Sequence, residues 1–261
     1  MKCGAFLVHC YADFRKDRLY LVGRLENGQS FAAVEGKWRP SLHINESDRE
    51  KAESALSSII YTVSPPALTA FDLREKLLLI QFSHFRDYNT AVKLLGKANI
   101  TSPDSDLKIP DAYLMGKHIL GPLEIDGEAR PGRLVDLVFP EPEIRSAAKT
   151  DVELRIASVD IETDVLEGTI LALAVSCGPG VRRNLVRVLN RPDSPKQESI
   201  PGQNIFFHWD EASLLASFLE DIRKADPDVI TGWNILDFDF PRLAERFAFH
   251  NIRFTLGRSK D

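Results

Sequence analysis

The chain has 261 residues, of which 44% are hydrophobic and 27% charged. That balance is ordinary for a globular protein and excludes collagen-like, coiled-coil and wholly disordered architectures. The length suits one large or two modest domains and can bury a core without disulfide or metal staples. No apolar run approaches the roughly 20 residues that span a bilayer. The opening Met1–Cys10 stretch is too short in its apolar part, and has no small-residue cleavage site, to be a secretory signal. The three cysteines, Cys3, Cys10 and Cys177, form no C-x-x-C pair, which disfavours a disulfide framework or a thiolate zinc site. The expectation is a cytoplasmic protein with no membrane partner. The net charge is −5, and residues 1–150 are neutral, so the whole acidic excess lies in residues 151–261. An acidic surface and a carboxylate-lined metal site would both produce that asymmetry.

The first part reads as mixed α/β. Ala5–Tyr11, Arg18–Leu25 and Ser30–Glu35 have strand character, with Glu26-Asn27-Gly28 as a turn between the last two. Asn45-Glu46-Ser47-Asp48 is a helix-start signal for a helix to about Ile59. Pro65-Pro66 reads as a break, Leu77–Phe82 as a strand and Asp87–Ala98 as an amphipathic helix. Phe139-Pro140-Glu141-Pro142-Glu143 reads as a linker, with prolines where a strand interior needs donors. The domain boundary is therefore placed near residue 150, giving domains 1–150 and 151–261. Beyond it, Leu154–Ile161, Gly168–Cys177 and Val181–Leu189 read as strands, the last two joined tightly at Gly178-Pro179-Gly180. Residues 191–202 read as a polar loop. Asp210 is placed to N-cap a helix over Glu211–Lys224, whose Leu214, Leu215, Phe218, Leu219 and Ile222 share one face. Asp228–Trp233 reads as a strand, followed by a helix after Asp239, giving the order β-β-β-α-β-α.

Two stretches carry chemistry. In Ser158-Val159-Asp160-Ile161-Glu162-Thr163 strand alternation puts Asp160 and Glu162 on one face and Val159 and Ile161 on the other. Paired carboxylates at that spacing repel unless a cation lies between them, and hard cations such as Mg²⁺ take such oxygens. A pair of solvated acids at an exposed strand end is the plainer possibility. In Gly232-Trp233-Asn234-Ile235-Leu236-Asp237-Phe238-Asp239 a strand enters and a proline-started helix leaves. There Asp239 could simply N-cap the helix and Asn234 could simply shape the turn. Taken together, the two points can lie side by side in such a sheet, so three carboxylates could converge on two metals about 4 Å apart.

The motifs Val159-Asp160-Ile161-Glu162-Thr163 and Asn234 to Phe238-Asp239 resemble the first and second exonuclease motifs of family B DNA polymerases. Asp226-Pro227-Asp228-Val229-Ile230-Thr231-Gly232-Trp233-Asn234 and Asp111-Ala112-Tyr113-Leu114-Met115 are similar to bacterial members of that family. The resemblance implies an N-terminal domain followed by a ribonuclease H-like 3′→5′ exonuclease domain that removes mismatched primer ends. It implies two Mg²⁺ or Mn²⁺ ions. Asp160 and Glu162 would hold the tighter ion, and Asp239 would help hold the second. Asn234 would position the strand or its own loop, Phe238 would pack behind the site, and Thr163 would complete the substrate-binding set. The partners would be primer-template DNA with a single-stranded 3′ end, the remainder of a polymerase chain and a sliding clamp, at the bacterial nucleoid. The family's third motif, a Tyr and an Asp, does not occur in these 261 residues, so the chain alone is expected to have little or no nuclease activity. Asp226, Asp228 or Asp237 could substitute for the missing acid, Asp237 being the best placed.

The competing reading is a non-catalytic module that binds single-stranded nucleic acid or a replication protein. Trp209, Trp233, Phe238 and Phe240 would then stack bases, although packing in a core is the ordinary use of such side chains.

Overall fold

The computed structural model describes residues 1–69, 75–178, 183–190, 197–199 and 203–258. It divides into two compact units, Met1–Val152 and Glu153–Asp261. The first unit runs β1 (Lys2–Asp13), β2 (Arg18–Leu25), β3 (Ser30–Glu35), β4 (Ser41–Asn45), α1 (Arg49–Ala55), β5 (Tyr61–Thr69), β6 (Lys76–Phe82), α2 (Phe85–Lys97), α3 (Ile109–Gly116), β7 (Pro122–Asp126), β8 (Arg130–Pro131), β9 (Leu137–Pro140) and β10 (Glu143–Ser146). Seven strands form one sheet in the order β10-β7-β1-β2-β3-β9-β8, and β4-β6-β5 form a second. The core between these elements is built on Leu19, Leu21, Phe31, Phe82, Phe85 and Tyr113.

Three expectations for this unit change. The 139–143 stretch is no linker. Phe139 and Pro140 end β9, which pairs in parallel with β3, and Glu143 begins β10, which pairs with β7. The turn between them is made by Glu141 in the left-handed region, at φ 50°. Both prolines are accommodated because each sits at a strand end or between strands. Pro65-Pro66 does not break the chain either. It falls inside β5, where the register against β6 shifts between Ser64 and Leu68, the irregularity by which a strand tolerates missing donors. The helix expected to reach Ile59 stops at Ala55, and neither Asn45 nor Asp48 caps it with its side chain.

The second unit runs β11 (Ile156–Thr163), β12 (Ile170–Gly178), β13 (Arg183–Leu189), β14 (Ile205–His208), α4 (Glu211–Ala225), β15 (Val229–Thr231), a π-helical turn (Ile235–Asp239) and α5 (Phe240–Phe249). The sheet order is β14-β13-β12-β11-β15. The three central strands form an antiparallel meander and both outer strands add in parallel. A meander followed by parallel addition beside its first strand is the ribonuclease H-like arrangement. The turn expected at Gly178-Pro179-Gly180 and most of the 191–202 loop lie outside the described residues. One strand, β14, was not anticipated. Asp210 caps α4 as expected, accepting from the Ser213 N–H at 2.7 Å. The apolar faces of α4 and α5 pack on one side of the sheet through Leu214, Phe218, Ile222, Leu243 and Phe247 against Ala157, Val159 and Ile161.

Candidate active site

Burial alternates strictly along the first seven residues of β11. Ala157, Val159 and Ile161 are buried, whereas Ser158, Asp160 and Glu162 are exposed. The helices take the first face and leave the second open, so both acids project from the uncovered side of the sheet. Their cross-strand partners on β12 are small. Asp160 faces Ala174 and Glu162 faces Ala172. Alanines beside carboxylates leave room above the sheet for something larger. Thr163 closes the strand at a register shift, half-buried.

β15 is short and pairs only with Ile156, Ala157 and Ser158. Beyond Ser158 that edge of β11 has no strand neighbour among the described residues, and the turn after β15 crosses it instead. Gly232 permits the crossing. A Cβ at that position would sit 2.4 Å from the Val159 carbonyl oxygen, closer than any side chain tolerates. Asn234 then adopts the left-handed region at φ 54°, which asparagine enters more readily than most residues. Its carbonyl accepts from the N–H groups of Asp237 and Phe238 at 3.2 and 2.9 Å. The five residues that follow form the π-helical turn, a rare local structure that recurs at functional sites.

This turn decides the role of Asp239. The plain expectation was an N-cap, but Asp239 is itself helical at φ −61° and ψ −51°, and its side chain caps nothing. The residue is 2% exposed. Its carboxylate lies beside its own N–H and the Ile161 N–H, between the two acids of β11, and both amides favour its charged form. Burial, the largest cause, and the negative charge of Asp160 push the Asp239 carboxyl above the usual range, and the two N–H groups offset only part of this. Asp160 and Asp239 are therefore close enough to repel. Among the described residues no ion pair reaches either of them or Glu162, and no three His, Cys, Asp or Glu side chains are gathered closely enough to hold a metal ion. The donor chemistry fits a hard divalent cation, since two repelling carboxylates share a site without a counter-charge.

Phe238 does not pack behind the site. It is exposed, because the π-helical turn buries Ile235 and Asp239 on one side and points Leu236 and Phe238 outward. Trp233 is 91% exposed, and Trp209 is also exposed. The core-packing expectation holds only for Phe240, which meets Phe254 edge-on. Val165 and Leu166, in the loop just past Thr163, are 96% and 94% exposed. The substitute acids are otherwise engaged or remote in character. Asp226 accepts from both Arg155 and Arg258, and Asp228 accepts from the Arg155 N–H at 2.9 Å. Asp237 is exposed.

One cluster escaped the sequence reading. Glu211 opens α4 yet its side chain is only 5% exposed. Its carboxylate accepts from the Ile170 N–H at 2.7 Å, from Arg246 through Nε at 2.9 Å and through a second guanidinium nitrogen at 2.5 Å, and meets His250 Nε2 at 2.7 Å. Burial alone would raise this carboxyl, but the bonds from Arg246, His250 and the Ile170 N–H outweigh it and hold the group below the usual range. The signal was available. Glu211 lies four residues before Leu215 and seven before Phe218, and Arg246 and His250 lie three and seven after Leu243. Charges on apolar stripes at helical spacing announce a buried pair.

Residues 135–260 match the family model described as DNA polymerase family B, exonuclease domain. DNA polymerase II of Escherichia coli is 26% identical over 199 residues, covering 76% of this chain and 24% of that protein. A DNA polymerase of Desulfurococcus is 32% identical over 114 residues, covering 41% of this chain and 13% of that protein. The solved structure of the family B DNA polymerase from the archaeon Pyrobaculum calidifontis superposes with a TM-score of 0.68 at 18% identity, covering 95% of this chain and 33% of that one. The second unit thus has the fold of a polymerase-associated exonuclease domain. More particularly, residues 135–260 carry the exonuclease domain of family B DNA polymerases. The chain spans about a quarter of the length of the E. coli relative.

Proposed function

We propose that this chain supplies part of the 3′→5′ proofreading nuclease of a family B DNA polymerase, acting on the single-stranded 3′ end of a primer, with residues 1–150 as the family's N-terminal domain. One observation carries the reading: a buried carboxylate, Asp239, set beside β11 near the Ile161 N–H and the like charge of Asp160, with no ion-pairing cation among the described residues. Perturbed carboxyls of this kind concentrate where chemistry is done. Asp160, Glu162 and Asp239 would hold Mg²⁺ or Mn²⁺, which when bound supplies activated water and charge neutralisation at the scissile phosphate. The chain's own residues do the rest. The Ile161 N–H favours the charged Asp239 carboxylate beside it, Asn234 sets the turn that delivers it, and Ala172 and Ala174 keep the space above the acids clear. Thr163, Val165 and Leu166 at one end and Trp233, Leu236 and Phe238 along the turn offer apolar contacts to nucleobases. The polymerizing remainder of such an enzyme, a sliding clamp and a place at the nucleoid belong to the same reading. Among the described residues no helix is long and apolar enough to cross a membrane.

The test is digestion of a 5′-labelled single-stranded oligonucleotide with Mg²⁺ or Mn²⁺, alongside Mn²⁺ binding measured directly. Asp160→Ala is expected to abolish any 3′-end trimming and to weaken Mn²⁺ binding. Unchanged Mn²⁺ affinity in that variant would remove the site assignment. The exposure of Trp209, Trp233 and Phe238 favours a second reading, a module that binds single strands without cutting them. It predicts binding that weakens steeply as salt rises and persists in Asp160→Ala.

A further inference from the structure

We propose that Glu211 is a positioning residue for the candidate site, fixing where Asp239 meets β11 although it touches none of the three acids; this rests on the exonuclease reading of those acids. The placement follows from what the buried carboxylate ties together. It sits at the first residue of α4, takes the backbone N–H of Ile170 at the first residue of β12, and binds Arg246 and His250 near the end of α5. Three segments that share one apolar core are joined at one point. Apolar contacts are non-directional, whereas a bidentate guanidinium bond fixes distance and orientation.

Each tied segment leads straight to the site. Asp239 immediately precedes α5, and Arg246 lies seven residues on, about 10 Å along a rigid helix. β12 begins seven residues after Thr163, and the connecting loop is itself constrained. The Asp164 side chain accepts from the N–H groups of Leu166 and Glu167, and its backbone pairs with Thr169 and Gly168. Gly168 sits at φ 67°, and a Cβ there would lie 2.7 Å from the Arg242 guanidinium of α5. The hub thus sets the helix that delivers Asp239 and the strand that flanks the β11 acids. The Arg246 guanidinium also stacks 4.4 Å over the Phe249 ring, which keeps the fork from swinging away.

The readout that separates positioning from mere support is amide hydrogen exchange on the ¹⁵N-labelled chain. The Ile161 N–H lies beside the Asp239 carboxylate, while Leu173 lies within the central strand ladder. Glu211→Gln keeps the shape and removes the charge. It is expected to speed exchange at Ile161 at least tenfold relative to Leu173, and to weaken Mn²⁺ binding several-fold. Equal acceleration at both amides, or none, overturns the proposal, because a purely supporting role lowers stability everywhere. Should Glu211→Gln fail to fold, Arg246→Lys, which keeps the charge but loses the fork, is read on the same amides with the same expectation. Asp239→Ala separates the two ideas. If it leaves Mn²⁺ binding unchanged while Glu211→Gln still frees the Ile161 amide, the metal reading falls and the positioning role stands.

Discussion

Asp104 in the first unit and Asp239 in the second are both carboxylates drawn out of water, and the two units treat them oppositely. Asp104 accepts from the His43 backbone N–H at 2.8 Å, meets His43 Nδ1 at 2.7 Å and accepts from the Ser102 hydroxyl at 3.1 Å. Burial pushes its carboxyl up, but the His43 and Ser102 bonds and the His43 charge outweigh it, and the group ends below the usual range. Asp239 has two backbone N–H groups nearby and a like charge beside it, and it ends above. The same residue type is thus a fastener in one unit and a standing cost in the other. A protein keeps such a cost where a ligand will relieve it. Glu211 shows that the second unit is able to satisfy a buried acid fully, so the state of Asp239 is no general defect of that unit.

Breaking the fasteners should have the largest effects. Glu211→Ala leaves the Arg246 guanidinium buried without its carboxylate, and the loss of a buried pair's partner costs about 3–5 kcal/mol. Denaturant unfolding of the chain, followed by far-UV circular dichroism, measures it. The pH dependence has a definite sign. Because the folded Glu211 carboxyl lies below its unfolded value, its contribution is complete above the unfolded value of about 4.3 and drains away as pH falls through the lower folded one. Glu211→Gln should blunt that acid loss. Asp104→Ala, which orphans the His43 donors in the first unit, should cost less, about 1–3 kcal/mol. Its acid dependence has the same sign.

Gly232→Ala acts on no acid directly but on the turn that leads to Asp239. The added methyl meets the Val159 carbonyl, so the turn must lift from β11 or the strand must yield, at about 1–3 kcal/mol. The comparison sharpens here. The variant should disturb the Ile161 amide resonance and leave that of His43 unchanged.

Much of this was legible beforehand because it depends on local periodicity. The alternation of Val159 and Ile161 against Asp160 and Glu162, the apolar stripe of α4 and the cap at Asp210 are short-range patterns, and the structure reproduces each. The failures involve partners distant in sequence. Pro140 ends a strand because β3 lies beside it, and β14 exists because β13 offers it an edge. Asp239 reads as an N-cap in any local window. Only the neighbouring, unpaired stretch of β11 draws its side chain elsewhere. Glu211 was hidden for a related reason. A charged residue at a helix start is usually solvated, and only α5, some 35 residues on, shows that this one is not.

The smallest effect is the most direct reading of the contrast, and it has the opposite sign. Asp239→Asn keeps an acceptor beside the Ile161 N–H but removes the charge that burial and Asp160 disfavour. A raised carboxyl contributes its full stability only while protonated, below the unfolded value of about 3.9, and loses it as pH rises through the folded value. The parent therefore carries the penalty at neutral pH and the amide variant does not. In metal-free buffer at pH 7, Asp239→Asn should be more stable by about 1 kcal/mol, as changes at strained functional positions commonly are, and the advantage should vanish in acid. Added Mg²⁺ or Mn²⁺ should erode it from the other side, since a ligand that binds the folded parent stabilises it by mass action. A variant that is less stable than its parent at pH 7 would place Asp239 among the fasteners with Asp104 and remove the contrast on which the site rests.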